Sequence, residues 1–408
     1  MSPVPGSVAQ AVGGTLVRCG IDAVFGVVGS GNFAVTNAMV AAGARYVAAR
    51  HEGGAATMAD AYGRMSGGVA GLSVHQGCGL TNALTGITEA AKSRTPLVVV
   101  TAEATSARSN FFVDQFALAE AVGAVPMRVG SADDAVELAA RAVAAARDER
   151  RVVVLNLPLD VQDLAAPAAV VPTLLPPPAA TPDPAEVARL ADALGRAQRP
   201  VFVAGRGSRA PGSRAALDEL ADRCGALLAT SAVAKGLFRG NPWDLDVSGG
   251  FATPLAAELI AGADLIVGWG CALNMWTMRH GQLIADDAVV VQVDLERAAL
   301  GVQRDIAFGV VGDVGGVAEA AAARAVEATG YRTPEVRRAI AARGRWRDEP
   351  FEDAGGAEFI DPRTLTIALD DLLPAERVVA VDSGNFMGYP SMFLDVPDQL
   401  GFCFTQAF

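Results

Sequence analysis

The sequence predicts an α/β protein built from parallel-sheet domains with helices on both faces. Three observations carry that expectation. Apolar runs of strand length, such as "PLVVV" at 96–100 and "AVVVQV" at 288–293, alternate with Ala-rich helical runs almost throughout. Two stretches break the rhythm and divide the chain. At 408 residues it is long enough for two or three ordinary cores.

Taken in order, residues 1–165 have the size of one domain. The stretch 166–184, "APAAVVPTLLPPPAATPDP", holds seven prolines and can continue neither a helix nor a central strand, so it reads as an extended linker. Residues 185–328 form a second domain-sized segment. A second linker is read at 329–361, where "GYRTP" and "DEPFEDAGGAEFIDP" bracket the basic run "VRRAIAARGRWR" at 336–347. Residues 362–408 are too few for a core of their own. They read as helix end, strand, Gly-containing loop, helix and a second strand reaching Phe408. A parallel sheet of two strands leaves an apolar edge, so a second chain or a continuation is expected to cover it.

Composition excludes several function classes. The chain is 51% hydrophobic, but its apolar runs fall far short of the roughly 20 residues a membrane span needs. The N-terminal "MSPVPGSVAQAV" has no basic stretch leading into an apolar one, so no secretion signal is read and a cytoplasmic setting is expected. Five cysteines without paired spacing suit neither a disulfide framework nor a zinc site. A net charge of −12 argues against nucleic acid, whose phosphates require clustered Lys and Arg.

The stretch "RHEGGAATMADAYGR" at 50–64 places one carboxylate, Glu52, where a strand runs into a helix, followed by seven uncharged residues. Such an acid is either a helix N-terminal charge favoured by the macrodipole or a functional group. Asp60 and Arg64, four apart, are expected to pair on the solvent side of that helix.

Together with "VFGVVGSGNFAV" at 24–35 and "GLSVHQGCGLTNALTGITEAAKSRTPLVVVTAEA" at 71–104, this stretch resembles the pyrimidine-binding domain of thiamine-diphosphate enzymes of the acetolactate synthase and benzoylformate decarboxylase family. Order and spacing agree over about 100 residues, which is more specific than any one block. The segment 185–328, with "RPVFVAGRGS" and "ADLIVGWGCALN", is similar to the family's central Rossmann-like domain. Residues 362–408 resemble the opening of its diphosphate-binding domain.

The resemblance assigns Glu52 to the carboxylate that hydrogen-bonds N1′ of the cofactor's aminopyrimidine and drives formation of the C2 carbanion. A charge-assisted bond of that kind is strong in a dry site. Gly53, Gly54, Ala55 and Ala56 are then expected to let the ring approach, with Gly29, Gly77 and Asn82 as further cofactor contacts. His75 falls where decarboxylase-like members carry a catalytic histidine in "LHSAAG", and Ser30 falls on the serine of "GNPGSN". A histidine there titrates near working pH and suits proton transfer; the alternative is a histidine hydrogen-bonded in its loop. Asp114 and Gln115 in "FFVDQFALAE", and His280 in "MWTMRHGQL", are candidates for the substrate channel, although the former pattern also fits an ordinary amphipathic helix. Cys78 lies in the active-site loop with nothing to mark it as a nucleophile, and His51 reads as structural.

The chain departs from the family at the metal. The family holds Mg2+ and diphosphate through a "GDG" sequence followed by Asn, and "VGDVGG" at 311–316 is a decoy at the end of the central segment. No metal ligand is assigned here, so Mg2+ is expected to be held outside these residues. "DSGNF" at 382–386 resembles the first diphosphate loop, with Gly384 and Asn385 as contacts. The glycines of "GRGSRAPG" at 205–212 leave FAD open as a minor alternative.

These readings converge on the N-terminal part, or one subunit, of an enzyme that decarboxylates a 2-oxo acid and protonates or carboligates the resulting enamine. It is expected to be a homo-oligomer, a dimer or tetramer, completed by a second chain carrying the rest of the diphosphate-binding domain. Acetolactate synthase proper and a non-catalytic homologue that regulates a full-length partner are the alternatives.

Overall fold

A computed structural model describes residues 6–175, 181–325 and 327–404. They fall into two compact units, one reaching residue 175 and the other spanning 181–404. Residues 176–180 of the Pro-rich stretch and the last four residues of the expected final strand lie outside the described residues.

The first unit alternates strand and helix as the sequence pattern requires. In chain order it runs α1 (Val8–Arg18), β1 (Ala23–Gly26), α2 (Phe33–Ala41), β2 (Arg45–Ala48), α3 (Glu52–Ser66), β3 (Ala70–Val74), α4 (Cys78–Lys92), β4 (Leu97–Glu103), α5 (Gln115–Ala121), β5 (Val125–Arg128), α6 (Ala135–Asp148) and β6 (Val152–Pro158). The strands form one six-stranded sheet in the order β2-β1-β3-β4-β6-β5, and every pair is parallel. β3, β4 and β6 are buried at every residue. Continuous apolar runs are what strands covered on both faces demand, and each fully buried Val or Leu contributes about 1.5–3 kcal/mol.

Helices α1 and α6 pack in a core with Val98, Val100 and Val153. Helices α3 and α4 pack in a separate one with Leu72, Val74 and Val99. The axes of α3 and α4 approach closely because Gly86 has no side chain: a methyl there would lie 2.6 Å from Ala56 Cβ.

The same pair of helices is locked by a buried ionic group. Arg64 Nη2 lies 2.5 Å from Asp60 Oδ2 and 2.6 Å from Glu89 Oε1, and Thr95 Oγ1 donates to Asp60 Oδ1 at 2.6 Å. Burial alone would lower the Arg64 pKa, but Asp60 and Glu89 raise it above its ordinary value. The expected solvent-side pairing of Asp60 and Arg64 is therefore corrected: Asp60 is 0% exposed, with the Thr95 hydroxyl completing its shell while Glu89 on α4 completes that of Arg64.

The second unit repeats the plan with β7 (Pro200–Ala204), β8 (Leu227–Thr230), β9 (Asp244–Val247), β10 (Leu265–Trp269), β11 (Val289–Asp294) and β12 (Phe308–Val311). Their order is β12-β11-β10-β7-β8-β9, again all parallel. The predicted fold class is therefore observed in both units. Residues 362–404 belong to this second unit and add a two-stranded parallel sheet, β13 (Val379–Val381) with β14 (Phe402–Phe404). Buried Asp370 gathers Arg377 at 2.8 Å, Arg347 at 3.3 Å and the Asp395 amide at 2.9 Å, and Arg239 Nη1 donates to Val396 O at 2.8 Å. No helix among the described residues is long and apolar enough to cross a membrane.

Candidate active site

In open parallel sheets ligands bind beyond the carboxyl ends of the strands, where the strand order reverses. In the first unit that point lies between β1 and β3, since β1 has β2 on its other side. The turns after these two strands, 27–32 and 75–77, carry Gly29, Ser30, His75 and Gly77, four of the residues singled out from the sequence.

Asn32 holds the first turn: its Oδ1 accepts from the Gly29 amide at 2.8 Å, and its Nδ2 donates to Val27 O at 3.2 Å and Ser73 Oγ at 3.0 Å. Ser30, exposed, then places Oγ 3.5 Å from His75 Nε2. His75 Nδ1 lies 2.9 Å from Gln76 O. A carbonyl can only accept, so Nδ1 carries a proton and Nε2 of the neutral ring is left as an acceptor facing Ser30. Phe111 stands edge-on to the imidazole at 5.0 Å. Gly29 is a glycine because of this ring, since a methyl there would lie 2.5 Å from His75 Cδ2.

Gly77 turns the chain into α4 at φ +62, a conformation L side chains avoid, and a Cβ would meet Phe111 O at 2.5 Å. Its amide donates to Gln115 Oε1 at 2.9 Å. Gln115 is 1% exposed, and its Nε2 donates to Ala102 O and Asn156 Oδ1. The channel expectation for Gln115 is thus corrected: both ends of its carboxamide are engaged inside the protein, and it acts as a strut that fixes the turn bearing His75. Asp114 is exposed and caps α5 by accepting from the Ala117 amide at 3.0 Å.

The third component comes from the β2–α3 junction. His51 caps α3 by accepting from the Gly53 amide at 3.0 Å, which is the structural role read for it. Glu52, half-buried, begins the helix, and its Oε2 accepts from Asn82 Nδ2 on α4 at 3.1 Å. No hydrogen bond from a described residue reaches Oε1. Gly79 stands between two of these groups: a methyl on it would lie 3.0 Å from His75 Cβ and 3.6 Å from Glu52 Oε1. Glu52, Asn82, His75 and Ser30 therefore converge.

The run of small residues after Glu52 divides. Gly54 is exposed with open space beside it, whereas Ala55 and Ala56 are buried in the core, which corrects the expectation that all four small residues face a ligand. Cys78 is exposed at the start of α4.

The second unit holds the remaining candidates. His280 is exposed at φ +54, beside Arg279 at φ +45, with its ring against Trp276 at 5.5 Å. Gly384 adopts φ +141 in the turn after β13, and Asn385 follows it on the surface. The glycine turn at 205–208 is engaged by its own sheet: the Gly205 amide donates to Trp269 O at 2.8 Å, the Gly207 amide to Gly270 O at 3.1 Å, and Ser208 Oγ to Trp269 O at 2.8 Å. Those two amides are not offered to a nucleotide phosphate. Asp313 of the decoy motif caps a helix through the Gly316 amide at 2.8 Å. Among the described residues no group of three or more His, Cys, Asp or Glu is arranged to hold a metal ion.

Sequence reasoning passed over Gln76. It is 3% exposed, directly follows His75, and its Oε1 has no hydrogen-bond partner among the described residues.

Comparisons with known proteins match two stretches of the chain. Residues 6–125 match the family description "Thiamine pyrophosphate enzyme, N-terminal TPP binding domain", and residues 187–321 match "Thiamine pyrophosphate enzyme, central domain". The sulfoacetaldehyde acetyltransferase of Rhodobacter capsulatus is 29% identical over 400 residues, covering 91% of this chain and 67% of its own length. A probable 2-ketoarginine decarboxylase of Pseudomonas aeruginosa is 34% identical over 297 residues, 68% of this chain and 52% of its own. The acetolactate synthase large subunit of Parasynechococcus marenigrum is 28% identical over 407 residues, 95% and 65% respectively. The chain thus spans about half to two thirds of the length of these relatives. With both domain descriptions matched in sequence order, the chain belongs to the thiamine pyrophosphate enzyme family.

Proposed function

We propose that the chain supplies the cofactor-activating half of an enzyme that decarboxylates a 2-oxo acid and then protonates the remaining unit or transfers it to a second carbonyl. The observation that carries this reading is Glu52, with Oε2 held by Asn82 and Oε1 left without a donor among the described residues. A carboxylate so divided suits a ligand that brings one hydrogen-bond donor, as a protonated ring nitrogen does. Thiamine diphosphate, when bound, supplies a nucleophilic carbon that adds to the 2-oxo group and accepts the electrons left on loss of CO2.

The chain's own residues do the rest. Asn82 fixes the Glu52 carboxylate, and the open side of Gly54 leaves room for a ring beside it. His75, with Nδ1 protonated by its contact with the Gln76 carbonyl, keeps Nε2 free to take a proton and later return it. Ser30 Oγ lies 3.5 Å from that nitrogen, and its one hydrogen serves either Nε2 or a substrate oxygen. His280, Gly384 and Asn385 belong to the same reading as substrate and diphosphate contacts. Mg2+ comes with ligands from a diphosphate-binding part beyond the described residues.

The test uses the purified chain together with any polypeptide that co-purifies with it, thiamine diphosphate, Mg2+ and a panel of 2-oxo acids including pyruvate and benzoylformate. CO2 release from at least one acid is expected, with deuterium exchange at the cofactor's C2 faster than in buffer. Cofactor binding with no acceleration of that exchange would falsify the assignment of Glu52.

A further inference from the structure

Among the described helices that a side chain caps, all but one are capped by Ser, Thr or Asp, as at Ser7, Asp114 and Asp313. The exception is α3, whose N-cap is His51, and α3 is the helix that begins with Glu52. His51 stands in extended backbone at φ −153 and ψ 142, and its Nδ1 accepts from the Gly53 amide at 3.0 Å. An amide can only donate, so Nδ1 carries no proton and the neutral ring holds its single hydrogen on Nε2.

This cap bears on the turn that carries Glu52. Gly53 lies against both the ring and α4: a methyl on it would come within 3.1 Å of His51 Nδ1 and 3.3 Å of Asn82 O. Asn82 is also the residue whose Nδ2 holds Glu52 Oε2. The imidazole and Asn82 therefore pin the first turn of α3 together. A Ser, Thr or Asn cap holds at any pH, whereas an imidazole changes charge between pH 5 and 8 and caps only while neutral. A second proton makes Nδ1 a donor facing a donor and sets a cation at the positive end of the helix dipole.

We infer that His51 is a positioning residue whose neutral ring fixes the turn bearing Glu52, so that acid withdraws the cap and, with it, the placement of the activating carboxylate. This rests on the reading of Glu52 as the cofactor-activating group. The titratable groups of the surrounding elements are Arg45, Tyr46 and Arg50 before the cap, Glu52 and Tyr62 on α3, His75 and Cys78 at the next turn, and Lys92 at the end of α4. Asp60, Arg64 and Glu89 of the two helices pair with one another. No hydrogen bond or ion pair among the described residues joins any of them to His51, so nothing replaces the Gly53 contact once it is lost.

The test follows wild type, His51→Asn and His51→Ala between pH 8 and pH 5.5, each as the full chain with any polypeptide that co-purifies with it. Without cofactor, NMR reads the ring nitrogens of His51 and the amide proton of Gly53. In wild type the Gly53 signal is expected to move in step with protonation of the ring, and in His51→Asn to stay where it is. With thiamine diphosphate bound, deuterium exchange at its C2 is expected to fall toward pH 5.5 about two- to thirtyfold further in wild type than in His51→Asn, the range that loss of an N-cap covers. All other titrating groups are common to the two proteins. His51→Ala should exchange more slowly at pH 8, and Asn at the same position should restore the rate.

A Gly53 amide that ignores the ring overturns the inference. So do exchange profiles of wild type and His51→Asn that superimpose across the range, which would leave His51 a cap with no bearing on Glu52. Glu52→Gln separates this inference from the parent reading. If that variant exchanges at C2 as fast as wild type, the role of Glu52 falls, while a Gly53 amide that follows the ring still supports the proton-sensitive cap.

Discussion

The two six-stranded sheets are built alike, and yet among the described residues the turns at their reversal points are held differently. In the first, the turns after β1 and β3 are braced from behind by Asn32 and Gln115, so that Ser30 is exposed and His75 Nε2 free to accept. In the second, the equivalent turns after β7 and β10 are zipped to each other through Gly205, Gly207 and Ser208. A glycine-rich turn after a parallel strand is therefore no site by itself. What decides is whether its amides are engaged by side chains that hold it open or by the neighbouring turn that closes it.

The largest effect that this contrast predicts is on turnover. Glu52→Gln keeps the side chain's size and its contact with Asn82 but removes the negative charge, so CO2 release is expected to fall by about 10²-fold or more with Tm unchanged. Steady-state assays and thermal unfolding of the same preparation check both halves. Activity within a few-fold of wild type would mean that the first reversal point is as inert as the second.

Next comes the ionic lock beneath the site. Arg64→Met strands two buried carboxylates, Asp60 and Glu89, and is expected to cost about 3–5 kcal/mol in urea unfolding. A cost below about 1 kcal/mol would place the pair on the surface, where its i,i+4 spacing had suggested it lay.

A matched pair of glycine substitutions addresses the comparison directly. Gly29→Ala pushes on the His75 ring and is expected to lower kcat about tenfold with a small loss of stability. In Gly207→Ala the new methyl would come within 2.8 Å of Gly270 Cα, where neither backbone can yield; about 1–3 kcal/mol of stability is lost and the activity of the folded protein stays as it was. The same outcome from both substitutions would dissolve the distinction between an open and a closed turn.

These residues also show what the sequence could disclose. Strand and helix alternation was legible because burial on both faces demands continuous apolar runs, and Glu52 was legible because its solitude is local. Asp60 and Arg64 misled because the spacing of a pair on one helix says nothing of Glu89 and Thr95, which arrive from elsewhere and permit burial. Gln115 misled for a similar reason: its partner, the Gly77 amide, is remote in the chain, and an amide beside a channel reads the same as an amide bracing one. Gln76 gave no signal at all, since a neutral residue beside a histidine is conspicuous only once its lack of partners can be seen.

The smallest effect concerns the second unit, whose inward charges serve its fold. Asp244 begins β9, where burial first and the nearby Asp246 second push its carboxyl pKa up to about 7. Asp246, held at φ +58, is paired with buried Lys235 at 2.7 Å, and its amide donates to Asp244 Oδ1 at 2.9 Å. The folded pKa lies above the unfolded one, so between about pH 4 and pH 7 the folded state holds the extra proton and stability must fall as pH rises. Asp244→Asn keeps an oxygen for the Asp246 amide and removes the titration. It is therefore expected to match wild type near pH 4 and to exceed it progressively up to pH 8, as read from urea midpoints across that range. If the two proteins instead keep a constant difference from pH 4 to pH 8, Asp244 is charged throughout in the folded state. The start of β9 would then hold a permanent anion beside Asp246.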